Sequence, residues 1–254
     1  MSNFSIAGKR AFVTGANTGI GQAIAIDLAR QGSHVVAVGR SSMDATLAAI
    51  HEIGGRVDPL QAELATTASA TTAFDNALDQ FGPIDILVNN AGIIRRADSV
   101  DFTEQDWDAV MGINLKIVFF LSQAFARARF DIGQGGSIIN IASILSFQGG
   151  IRIPAYTASK SGLAGLTMTL SNEWAASGIT VNAVAPGYVV TNNTEALRND
   201  PDRSRTILDR IPAGRWAMPE DIAGAVSFLA SPASRYITGI TLSLIHISEP
   251  TRPY

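Results

Sequence analysis

Tyr156 and Lys160 stand four residues apart where a helix-like segment opens. That spacing puts both side chains on one helix face. An ammonium beside a phenol favours phenolate and lowers its pKa, which suits Tyr156 to act as a general acid or base nearer neutral pH. Taken alone, the pair reads equally as a solvated surface contact. It gains weight from Ser143, just upstream, and from Thr14-Gly15-Ala16-Asn17-Thr18-Gly19-Ile20-Gly21 near the N-terminus. Glycines in such a turn let backbone approach a pyrophosphate closely, with the phosphate charge resting on a helix N-terminus.

These residues need elements to position them. Arg10–Thr14, Val35–Val38, Val57–Gln61, Ile84–Asn89, Ser137–Ala142 and Thr180–Ala185 are short apolar runs bounded by Gly, Asn or Pro. They are read as buried strands. Helical patterns occupy about Ile20–Gln31, Met43–Ile53, Ala68–Phe81, Thr103–Arg129 and Ala155–Ala176. Thr103-Glu104-Gln105-Asp106 resembles a capping box with Asp in the Glu place, and Pro219 begins a further helix. The alternation predicts a single doubly wound α/β domain, with about seven parallel strands and helices on both faces. Ligands of such sheets bind beyond the carboxyl ends of the strands. Gly15, Asn90, Ser143 and Pro186 each fall just past a predicted strand end.

Composition sets outer bounds. The 254 residues include no cysteine, which excludes a disulfide scaffold, a thiolate metal site and a cysteine nucleophile. His34, His51 and His246 are scattered without metal-ligand spacing. A net charge of -3 gives no reason to expect nucleic acid. With 16% charged residues and positive mean hydropathy, much surface is expected to be buried, including between subunits. No leader pattern opens the chain and no run approaches ~18 apolar residues, so a membrane span is not expected and the cytoplasm is the default location.

The glycine spacing is G-x-x-x-G-x-G, the form found in short-chain dehydrogenase/reductases. Asn89-Asn90-Ala91-Gly92, Asn114, Ser143, Tyr156-Thr157-Ala158-Ser159-Lys160 and Pro186-Gly187 match that family in order and spacing. The resemblance runs over roughly residues 5–242. It implies hydride transfer between a nicotinamide and a carbonyl or alcohol carbon. It further implies that Tyr156 passes the proton and Ser143 hydrogen-bonds the substrate oxygen. Lys160 would bind the nicotinamide ribose and tune Tyr156, and Asn114 would support a water-mediated relay. Gly15, Asn17, Thr18, Gly19, Ile20 and Gly21 would hold the cofactor phosphates. Arg40, Glu63 and Leu64 would meet its adenosine half. Asn90, Ala91, Gly92, Pro186, Gly187, Val189 and Thr191 would line the rest of the cofactor site.

The second strand ends Val38-Gly39-Arg40-Ser41. An acidic residue there would accept the ribose hydroxyls of NAD, whereas an Arg suits the 2′-phosphate of NADP. Gly39 takes the usual acidic place, so Arg40 leans to NADP, or merely stacks on adenine. Residues 89–96, 143–154, 186–194 and 207–216 resemble the sugar-acid dehydrogenases of the family, whose usual cofactor is NAD, and both cofactors stay open. This closer resemblance implies reversible reduction of a diketo-deoxy sugar acid, in pectin and uronate breakdown, by a homotetramer. Gluconate oxidation and 3-oxoacyl reduction are the alternatives, and a non-catalytic NAD(P) sensor is the reading from another class. Guanidinium groups pair with carboxylates, so Arg152 is the first candidate for the substrate carboxylate, followed by Arg96 and Arg95. Gln148 and Asn192 are candidates for its hydroxyls, and Asn192 or Asn193 alternatively caps a helix.

The family pattern stops near Gly239-Ile240-Thr241-Leu242. Leu242-Ser243-Leu244-Ile245-His246-Ile247-Ser248-Glu249-Pro250-Thr251-Arg252 reads as the translation of a transposon adapter used in sequencing libraries. The domain is therefore expected to span 1–241 and a non-native tail 242–254. Residues 240–245 nevertheless alternate like a strand.

Overall fold

The computed structural model describes residues 3–245. Seven parallel strands, β1 (Arg10–Thr14), β2 (His34–Gly39), β3 (Arg56–Gln61), β4 (Ile86–Asn89), β5 (Gly136–Ile141), β6 (Ile179–Ala185) and β7 (Thr241–Ser243), form one sheet in the order β3-β2-β1-β4-β5-β6-β7. The chain winds outward from β1 to β3, then crosses back to β4 and winds the other way. β1 and β4 are therefore neighbours whose following loops diverge, the topological switch point at which such sheets bind ligands.

Period-two alternation divides the strands between two cores. Ala11, Val13, Val35, Ala37, Ile86, Val88 and Ile139 face α1 (Gly19–Arg30), α2 (Asp44–Glu52) and a late helix at Pro219–Ala230. Phe12, Val36, Val38, Leu87, Ile138 and Val181 face the opposite layer. That layer contains α3 (Thr67–Phe81), α5 (Ile117–Asp131) and α6 (Pro154–Trp174). Phe12, Phe74 and Phe125 are fully buried in it and meet edge to face.

Four differences from the sequence reading stand out. The helix expected over Thr103–Arg129 is two helices, α4 (Glu104–Met111) and α5, joined by a π turn at Gly112–Lys116. Taken together, Glu104–Asp131 is long and apolar enough to cross a membrane by length and composition, although it holds no unbroken apolar run of that length. Its apolar side is spent on the second core, with Leu121 and Phe125 fully buried. The capping exchange at α4 is also altered. Asp106 N–H donates to Thr103 Oγ1 at 3.1 Å, while the Thr103 hydroxyl donates to the Asp106 carboxylate at 3.1 Å. Finally, α7 (Glu195–Arg198) and α8 (Pro201–Leu208) fill a stretch where polar sequence showed no period, before the late helix, α9 (Pro219–Ala230).

The alternating 240–245 segment does pair, through Ala183–Thr241, Val184–Leu242 and Ala185–Ser243. Leu244 then packs on the first core. The rest of the suspected tail, 246–254, lies outside the described residues.

At the amino edge of the sheet, buried Arg129 staples three segments. Its Nε donates to Gly135 O (2.7 Å), Nη1 to Ile84 O (3.1 Å) and Nη2 to Gln134 Oε1 (2.9 Å), with Asp85 Oδ1 3.3 Å away. Truncating it strands buried carbonyls whose desolvation is no longer repaid. Arg129→Ala is expected to lower stability by about 3 kcal/mol, read from the midpoint of urea unfolding.

Candidate active site

The ends of β1 and β4 are tied by two polar side chains. The Asn90 amide donates to Thr14 O (2.9 Å) and Gly15 O (3.3 Å). Thr14 Oγ1 accepts the N–H groups of Asn90 and Ala91, each at 3.0 Å, and donates to Val88 O. Thr14 and its hydroxyl were missed from sequence; their position directly before the glycine turn is the signal that marks them. Gly15 (φ +66°) and Gly19 (φ +57°) adopt backbone that L side chains rarely enter. A Cβ on Gly21 would lie 2.1 Å from Gly15 O and 2.3 Å from the Asn90 amide nitrogen. Thr18 caps α1 without a side-chain bond to its first turn. The turn is thus a cradle of close-packed backbone under a helix N-terminus, and it fits the pyrophosphate of a dinucleotide.

From this cradle a cleft of about 730 Å³ extends along the carboxyl edge of the sheet. One arm passes Gly39 and Arg40 to Glu63 and Leu64. Gly39 packs so closely that a Cβ there would meet Asn17 at 3.1 Å, and Asn17 Nδ2 holds Ser41 Oγ at 2.8 Å. Arg40 is exposed on the rim. The other arm passes Asn90, Ala91, Gly92 and Ile93 to Ser143, Tyr156 and Lys160, with Pro186, Gly187, Val189, Thr191 and Asn192 as the facing wall. Asn193, Thr194, Pro219 and Glu220 also line the cleft and were not among the anticipated site residues. Ile245 packs against Gly187, where a Cβ would lie within 2.2 Å of its Cγ2.

The Tyr156 hydroxyl is hydrogen-bonded to the Ser143 side chain. Ser143 Oγ also accepts the Leu145 N–H at 3.2 Å, which fixes its rotamer. Lys160 Nζ lies 5.7 Å from the centre of the Tyr156 ring and donates to Ile141 O at 2.6 Å. Sequence suggested that the ammonium would pull the phenol pKa down; the structure reverses the balance. Burial raises the Tyr156 pKa, opposed by the Ser143 hydrogen bond and by the positive charge of Arg96. Burial also lowers Lys160, to about 8. Desolvation penalises both charged forms and is the largest influence on each.

Asn114 sits fully buried in the π turn. Its Nδ2 donates to Ile93 O and its Oδ1 accepts the Ile93 N–H, both at 2.9 Å. Nδ2 also lies 3.3 Å from Ser159 Oγ, which donates to Tyr156 O. The amide is committed to the backbone of the 90–93 loop rather than to helix backbone, and so locks that loop to α6.

The arginine candidates separate. Arg152, first choice for the carboxylate, is ion-paired with Asp98 at 3.0 Å and lies outside the cleft wall. Arg95 pairs with Asp106 at 3.3 Å. Arg96, exposed and also outside the cleft lining, donates from Nη2 to the carbonyl of cleft-lining Asn193 at 3.0 Å and is the one of the three whose charge reaches Tyr156. Gln148 is half-buried and does not line the cleft. The helical turn beginning at Asn192 is capped by Thr191, not by an asparagine, with the Thr191 N–H donating to Thr194 Oγ1 at 3.2 Å.

The family profile described as short chain dehydrogenase matches residues 9–202. The chain belongs to the short-chain dehydrogenase family. It is therefore an NAD(P)-dependent enzyme acting on CH–OH groups. An Escherichia coli enzyme named 2-dehydro-3-deoxy-D-gluconate 5-dehydrogenase is 52% identical over 96% of both chains. The Dickeya dadantii enzyme of the same name is 50% identical over 96% of both. An Agrobacterium tumefaciens crystal structure described as a 2-deoxy-D-gluconate 3-dehydrogenase with bound NADP superimposes at TM-score 0.92. It is 56% identical over 96% of this chain and 97% of its own.

Two outcomes follow for this dehydrogenase. Gly21→Ala is expected to abolish NAD(P) binding in fluorescence titration, since the added carbon has no space beside Gly15 O. For Lys160, a folded pKa of about 8 below the ordinary 10.5 means that the unfolded chain binds more protons between these values. Stability contributed by this residue therefore rises with pH across that window and is lowest below about pH 8. The stability deficit of wild type relative to Lys160→Met is expected to shrink from pH 8 to 10.5 in denaturant titrations.

Proposed function

We propose that this dehydrogenase interconverts a secondary alcohol and a ketone on a deoxy sugar acid, 2-dehydro-3-deoxy-D-gluconate and its 2,5-diketo form, with NADP as the preferred cofactor. The observation that carries the substrate class is the Arg96 guanidinium, held by the carbonyl of cleft-lining Asn193, with its charge acting on Tyr156. A carboxylate a few atoms from the reacting carbon finds a charge-assisted partner there. Full-length identity to enzymes named for this substrate supports the same reading.

When bound, the nicotinamide supplies the hydride acceptor or donor. In the oxidative direction Tyr156 Oη takes the alcohol proton as the C–H hydride leaves, and in the reductive direction returns it to the ketone oxygen. Ser143, oriented by the Leu145 N–H, steadies that same oxygen. Lys160 provides a cation that shares charge with the phenolate and meets the nicotinamide ribose. Asn114 keeps the 90–93 loop seated beside Tyr156. Asn192, exposed on the facing wall, is placed to read a substrate hydroxyl.

Preference for NADP rests on the adenosine arm. Any side chain at Gly39 would crowd Asn17, whose atoms lie 3.1 Å from an added Cβ, and Asn17 holds Ser41 next to Arg40. A hydroxyl, an amide and a guanidinium around one position suit a 2′-phosphate. We also infer a homotetramer, as the family resemblance implies; Trp107, Phe130 and Met168 leave apolar surface exposed along α4, α5 and α6. The enzyme domain takes in residues 1–241, and the segment from Leu242 onward is read as foreign to it.

Absorbance-monitored turnover on keto-deoxy sugar acids with both cofactors tests the reading; a lack of turnover with the whole panel overturns it. Tyr156→Phe is expected to cut kcat by about 10³-fold while the Kd for NADP stays unchanged. Arg40→Ala is expected to raise the KM for NADP about tenfold and leave that for NAD nearly unaltered.

A further inference from the structure

Among the described residues, Arg152 is the one non-glycine residue with left-handed backbone, at φ +65°. An L side chain there is strained, and such strain persists where surrounding contacts over-determine it. Two contacts do so. The Arg152 carbonyl accepts the Ala97 N–H at 3.1 Å, and Arg152 Nε meets Asp98 Oδ1 at 3.0 Å. Both partners directly follow Arg96. On the other side, Arg152 adjoins buried Ile153, whose carbonyl accepts the Thr157 N–H at 3.0 Å in the first turn of α6. Arg152 therefore bridges the helix that carries Tyr156 and the loop that carries Arg96.

We propose that Arg152 is a positioning residue for substrate specificity. Its guanidinium is spent on Asp98 rather than on substrate, and its clamp on Ala97 and Asp98 sets where the Arg96 guanidinium stands relative to Tyr156. The inference rests on the reading that Arg96 receives the substrate carboxylate. The pairing with Asp98 is what separates it from direct recognition by Arg152. A guanidinium that binds substrate gains from losing a competing carboxylate, whereas a clamp is broken by the loss of either partner.

The test is steady-state kinetics with 2-dehydro-3-deoxy-D-gluconate and NADP on purified full-length enzyme. Asp98→Asn and Arg152→Gly are each expected to raise the sugar-acid KM about threefold, the scale of an exposed ion pair. The kcat and the KM for NADP should stay put. Glycine accepts the left-handed backbone, so Arg152→Gly should melt at no lower temperature than wild type, which separates positioning from a folding defect. The exchange Asp98→Arg with Arg152→Asp should restore the KM. If Asp98→Asn leaves the KM unchanged or lowers it, or the exchanged pair stays as impaired as Arg152→Asp alone, the clamp is wrong. Arg96→Gln separates the two layers. An unchanged KM in that variant refutes the carboxylate reading itself. A raised KM there, with no effect from Asp98→Asn, refutes the clamp alone.

Discussion

The close approach of β1 and β4 at their carboxyl ends is the constraint on which the rest hangs. Gly21 must lie against Gly15 O, and the Asn90 amide must reach Thr14 O and Gly15 O across the gap. Space for even one carbon is missing, so the turn has no alternative packing of similar energy. That rigidity is what a phosphate cradle needs, because backbone N–H groups bind anions well only when they are already aimed. The same contact fixes where the loop after β4 leaves the sheet, and hence where Ile93 and the arginines beyond it begin.

From that origin the reacting end is assembled by relays of side chain to backbone. Asn114 holds Ile93, Ser159 connects Asn114 to Tyr156, and Ser146 Oγ donates to Lys160 O at 2.7 Å. None of these bonds is chemistry; each removes a degree of freedom from a group proposed to do chemistry. Burial within this scaffold leaves both the phenol and the ammonium reluctant to ionise. At about 8 the ammonium still keeps its charge near neutral pH, so it is the phenolate that burial disfavours most.

Much of this was legible in the sequence. The strand runs appear within a residue or two of their predicted bounds, because a sheet buried on both faces leaves continuous apolar runs. Gly15, Asn90, Ser143 and Pro186 declared themselves by falling just after strand ends, and Tyr156 by its spacing from Lys160. Long side chains did not. Arg152 and Arg96 are the same chemistry in neighbouring loops, and only the positions of Asp98 and Asn193 decide which guanidinium pairs with a carboxylate and which is held beside the cleft wall. The sign of the Tyr156 shift was likewise hidden, since spacing reports proximity of charges and says nothing about how much water each has lost. The α7–α8 stretch was silent because helices of 4 and 8 residues with a polar face carry too few apolar positions for a period to show.

The π turn in Gly112–Lys116 also went unread, since a shift of backbone hydrogen bonds leaves the apolar pattern of a helix almost untouched. Its effect reaches beyond Asn114. A π turn takes up one residue more than a regular turn, so α5 is advanced by about 100° relative to a straight continuation of α4. Leu121 and Phe125 face the sheet in this phase. The amide under the reacting groups and the angular setting of a core helix are thus one inheritance. A family member that lost this single residue would have to repack the whole layer between α3 and α6, not merely replace an asparagine.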